Sequence, residues 1–148
     1  MSARIPSLTL ALLIAMTGAA AAGQKSPSGT LPAAVKSAFE QAHPKATIDH
    51  WAAEKKDGQP VFEIESHEGQ QKRDLLYAAD GRLIESEEMI EVASLPDAVR
   101  QAVTKAYPKA TMQKAERVVR GQVTEYEVSL KGAKVKEMVL HADGTLVK

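Results

Sequence analysis

The chain repeats itself. Residues 31–48, LPAAVKSAFEQAHPKATI, and residues 95–112, LPDAVRQAVTKAYPKATM, agree at ten of eighteen positions, at a constant offset of 64. A period this long exceeds the usual solenoid repeat, so it marks a tandem duplication and not an array. Whatever the first copy folds into, the second must fold into as well. Units of about 60 residues are marginal alone, so the two halves are expected to pack on one another.

The repeated stretch carries the grammar of a helix. Thr30 and Ser94 are placed to cap it, with Pro32 and Pro96 in the opening turn, where a missing N–H is harmless. Leu31, Val35, Ala38, Phe39 and Ala42 share one face at helical spacing, as do Leu95, Val99, Ala102, Val103 and Ala106. The alanines allow close approach to a sheet. Pro44 and Pro108 stop each helix, because the residue before a proline avoids the α region.

Beyond each proline the period falls from 3.6 to 2. Strands are expected at Ile48–Glu54, Val61–His67, Arg73–Ala78 and Leu83–Glu91, with turns at KKDGQ, Glu68–Gln71 and Ala79–Gly81. Phe62, Ile64 and Ser66 alternate with Glu63 and Glu65, and Tyr126, Val128 and Leu130 alternate with Glu127 and Ser129. The second half offers Met112–Val119, Val123–Leu130 and Val135–His141, then a short remnant over Thr145–Lys148. Asp-Gly at 80–81 and 143–144 is a strong hairpin signal. The expected fold is α+β: two tandem units, each a helix on one face of an antiparallel meander of three to four strands. The other sheet face stays open. The acidic stretch Glu85–Val92 is the natural linker and can join the two sheets.

Four segments follow. Arg4, the apolar run Leu8–Met16 and the Ala20-x-Ala22 pattern make residues 1–22 a secretory signal peptide. Residues 23–29, GQKSPSG, form a flexible lead; the repeats span 30–92 and 93–148. The expected location is periplasmic or secreted, with no membrane attachment after cleavage. The apolar run is shorter than the roughly 20 residues that span a bilayer.

The chain has no cysteine, which excludes disulfides, thiolate metal sites and a lipid anchor on a cysteine. Without Arg4, Lys and Arg number 18 against 19 acidic residues, and no basic stripe appears. Nucleic acid is a poor partner for such a surface.

With the Leu-Pro helix start, the Pro-Lys-Ala-Thr exit, Phe62-Glu63-Ile64 or Tyr126-Glu127-Val128, and Asp80-Gly81 or Asp143-Gly144, the chain resembles the PepSY-like, β-lactamase-inhibitor-like family. The resemblance covers nearly all of residues 30–148. It implies an exported, non-enzymatic module, similar both to inhibitors that dock on enzymes through an open sheet face and to propeptides that restrain proteases.

The residues offer no catalytic constellation. His43, His50, His67 and His141 lack metal-site spacing. Ser66, His67 and Glu68 are adjacent on a strand, so they cannot converge as a triad. Glu85, Glu87, Glu88 and Glu91 form an acidic cluster, read as a solvated edge strand charged against aggregation. Trp51, counted by alternation from Ile48, falls on the open face or at the junction between units. No cofactor is expected. The preferred function is recognition of an exported protein or peptide through the open face, with Trp51, Glu63, Glu65, Arg117 and Glu127 as the partner-binding residues. Inhibition of an exported protease or β-lactamase is one alternative. A metal- or small-ligand-binding sensor using the acidic strand and the histidines is another.

Overall fold

The computed structural model describes residues 29–147. The expected signal peptide, residues 1–22, and most of the expected lead lie outside them. The elements run α1 (Ala33–Ala42), β1 (Thr47–Lys56), β2 (Gln59–Glu68), β3 (Gln71–Ala78), β4 (Leu83–Ile90), a short 3-10 turn (Val92–Ser94), α2 (Asp97–Ala106), β5 (Thr111–Arg120), β6 (Val123–Lys131) and β7 (Glu137–His141). All seven strands form one antiparallel sheet in sequence order, β1 to β7. The α+β class holds, and β4 pairing with β5 makes the sheet continuous across the two halves.

Each helix ends as its proline dictates. The His43 and Tyr107 amides close the last turn on Phe39 and Val103, at 2.8 and 2.9 Å. The starts differ from expectation. Pro32 and Pro96 are themselves the cap residues, with ψ of 137° and 143°, and no side chain caps either helix. Thr30 lies upstream of the cap, and the Ser94 amide is taken by Glu91 in the 3-10 turn.

One side of the sheet meets the helices. Val35 and Phe39 bury with Ile64, Leu75 and Tyr77. Leu95, Val99 and Val103 bury with Ala115, Val128, Leu130, Met138 and Leu140. Burying each such side chain stabilises by roughly 1.5–3 kcal/mol.

The Asp-Gly turns belong to this packing. Gly81 and Gly144 have φ of +87° and +84°, and a Cβ on either would lie 2.6 Å from the carbonyl oxygen of Ala34 or Ala98. The repeated helix alanines and the repeated turn glycines thus form one contact, made twice. Asp80 and Asp143 accept the amides of Arg82 and Thr145 at 3.0 and 2.9 Å, which sets the turn.

Candidate binding face

The register shifts once in β1, between Ile48 and His50, and once at the equivalent place in β5, between Met112 and Lys114. Each shift is a bulge that inserts one residue, Asp49 or Gln113, and exchanges the faces of everything after it. Two predicted site residues therefore move. Trp51 stands opposite Ile64 and packs half-buried with the α1 cluster, so it is on the helix side. Arg117 stands opposite Glu88 and Tyr126, also on the helix side. Alternation counted from Ile48 without the bulge puts Trp51 on the open face, where Arg117 is also expected from the sequence.

Glu63, Glu65 and Glu127 do lie on the helix-free face. The pairing brings them together with a larger set: Glu54, Asp74, Glu85, Glu87, Glu116, Glu125 and Glu137, against Lys56, Lys72, Lys114, Arg120 and Lys131. One row across the sheet reads His50, Glu65, Asp74, Glu87, Val118, Glu125, His141. Glu116 and Glu127 face each other directly in another. The sequence signal for the set was the Glu alternation within single strands. The register that aligns like charges came only with the fold.

The acidic strand is corrected too. β4 is the central strand, not an edge, and Glu85 is only 6 % exposed. Arg120 bridges it at 2.8 Å and Lys56 at 3.5 Å. Burial alone would raise the Glu85 carboxyl, but the Arg120 hydrogen bond and the nearby positive charges outweigh it and hold it below its usual range. Glu125 takes the other branch of Arg120 at 2.6 Å.

Among the described residues, the remaining carboxylates of the face make no ion pair, and the charges of Lys114 on Glu116 and Lys72 on Asp74 do not offset burial. Burial, then the charges of Glu65 and Glu63, lifts Asp74 to about 7. Burial, then the charge and hydrogen bond of Glu85, lifts Glu87 to about 7. Burial, then a hydrogen bond to Glu137, lifts Glu127 to about 8. Glu63 and Glu116 are raised as well, chiefly by burial. A shallow pocket among Glu54, Glu63, Asp74, Leu76, Glu85 and Glu87 lies within this set.

On the helix side, opposite charges stand next to each other across the strands. Arg73, Glu88 and Arg117 form a row across β3, β4 and β5. Glu88 accepts from Arg73 Nε at 3.2 Å and from Arg117 and Gln71. His43 lies near this row and is lowered by burial and by the Arg73 charge. Among the described residues no cluster of three or more His, Asp or Glu is arranged to hold a metal ion. No described helix is long and apolar enough to cross a membrane.

Residues 21–85 and 83–148 each match the family described as "Putative beta-lactamase-inhibitor-like, PepSY-like". The chain belongs to the PepSY-like, β-lactamase-inhibitor-like family. Among solved structures, a protein of Bacteroides eggerthii described as putative periplasmic is similar with a TM-score of 0.66 at 12% identity, covering 81% of this chain and 88% of the other. A BLIP-like protein of Bacteroides fragilis gives 0.63 at 17% identity, covering 82% and 86%. A DUF2874 family protein of Bacteroides ovatus gives 0.63 at 17% identity, covering 81% and 86%. These likenesses are of fold. No curated protein matches the chain.

Proposed function

We propose that this chain is an exported, non-catalytic binding module of two tandem helix-and-meander units, and that a protein or peptide partner docks on the helix-free sheet face. One observation carries the reading. Glu63, Glu65, Asp74, Glu87, Glu116 and Glu127 share that face, and among the described residues none of them makes an ion pair; those on this face engage Glu85, Glu125 and, through His67, Asp49. Half-buried carboxylates held at about 7 to 8 are costly in the free protein. A partner presenting Arg or Lys side chains would discharge them and gain charge-assisted hydrogen bonds. Glu63, Glu65 and Glu127 stay in the proposed surface, joined by Asp74, Glu87 and Glu116. Trp51 and Arg117 leave it. The reading of residues 1–22 as an export signal agrees with the periplasmic description of the eggerthii protein.

Recovery of partners from the exported fraction tests this. Wild type is expected to retain proteins that the Glu65→Lys, Asp74→Lys, Glu127→Lys triple variant loses. Equal recovery by both would remove the face from the account. Inhibition of a β-lactamase or protease is a narrower form of the same reading, favoured by the family description alone. Enzyme activity measured with and without the purified protein decides it.

A further inference from the structure

The two edges of the sheet are treated differently. At β7, the chain folds back: Leu146 bridges Leu140, and the Val147 amide donates to the Val139 carbonyl at 3.0 Å. At β1, among the described residues, only the β2 side is paired. The duplication shows what such an edge accepts. β5 holds in the second half the place of β1 in the first, with the same bulge at the equivalent residue. The outer edge of β5 carries β4, paired antiparallel over Ala115–Arg120. At the offset of 64 these positions are Trp51–Lys56. The equivalent stretch of β1 is thus a strand-accepting edge left empty, and an open edge of this length invites pairing.

We propose that a second copy of this chain fills it, β1 pairing antiparallel with the partner's β1 about a two-fold axis at Ala52, so that two seven-stranded sheets become one. Several features select this occupant and this register. A two-fold contact is closed, and it removes the free β1 edge of both copies at once. Antiparallel neighbours that stand opposite must share a face, so the axis falls on a residue and not between two. An axis at Ala52 places His50 opposite the partner's Glu54 on the helix-free face, twice by symmetry. It places Trp51 opposite the partner's Ala53 on the helix side, a large residue against a small one. An axis at Ala53 would oppose His50 with the partner's Lys56. An axis at Trp51 would pair no charges. Of these three registers, the Ala52 one alone sets an acid against a base and a large residue against a small one.

Sedimentation equilibrium on the purified protein tests the proposal, with Glu54→Lys, His50→Glu and the double exchange. The wild type is expected to dimerise. His50→Glu should weaken the dimer about tenfold, since it sets carboxylate against carboxylate twice, and Glu54→Lys should weaken it by removing the carboxylate that faces each imidazole. The double variant should recover to within about threefold of wild type, because the pair is restored with its partners swapped. Amide exchange on the wild type gives a second readout that needs no variant: Trp51–Glu54 should become more protected as concentration rises. A monomer up to about 100 μM, or a dimer that neither single variant weakens, would overturn the proposal.

Discussion

The two faces of this sheet come from one alternation, yet they resolve charge in opposite ways. On the helix side opposite charges meet, with Glu88 held between Arg73 and Arg117 and Glu68 3.8 Å from Arg73. On the other side, Asp74 faces Glu87 and Glu116 faces Glu127, like against like. Directly opposed like charges destabilise a sheet. The first sets opposite charges against each other within the chain. The second sets like charges against each other, and that is the physical case for the docking surface proposed there.

Three perturbations sharpen this contrast. The largest effect is expected at the turns that seat the helices. Gly144→Ala should cost roughly 2–4 kcal/mol, because a Cβ would meet the Ala98 carbonyl and the backbone is left-handed there. Gly121→Ala, at φ +62° with open space around it, should cost only about 1 kcal/mol. Denaturant melts of both variants check the difference. Comparable losses would mean that strain alone, and not helix seating, decides the turn.

Next comes the matched row. Glu88→Ala leaves Arg73 and Arg117 without their shared acceptor, and should lose about 1–3 kcal/mol by thermal unfolding. Glu116→Ala on the other face should be neutral or stabilising, since it relieves Glu127. If the two cost the same, the faces are not electrostatically different.

The smallest effect is in pH. Carboxyls raised by folding contribute stability that is complete below the unfolded value, and it is lost as pH climbs through about 7 to 8. Glu87→Gln, which keeps the shape without the charge, should match wild type near pH 5 and melt higher above about pH 8. A constant difference across that range would show that Glu87 is not held protonated.

Much of this was legible in the residues. The duplication, the proline stops, the strand alternation in β2 and β6 and the junction through Glu85–Val92 all follow from local patterns. The bulges were not legible. Asp49 and Gln113 look like ordinary strand residues, and nothing in a single strand says that its partner skips one. That one residue sends Trp51 and Arg117 to the helix side. The acidic strand was misplaced for a related reason: local sequence shows charge, but only long-range pairing shows that β4 is central. The second role of the Asp-Gly glycines, as seats for α1 and α2, likewise depends on a contact some 46 residues away in the chain.

The central claim is that partners meet the carboxylate face. Photo-reactive residues placed at positions 65 and 127, and separately at Ser37 and Gln101 on the exposed sides of the helices, would test it in the exported fraction. The account predicts partner adducts from 65 and 127 and none from 37 and 101. Adducts confined to the helix positions would contradict it.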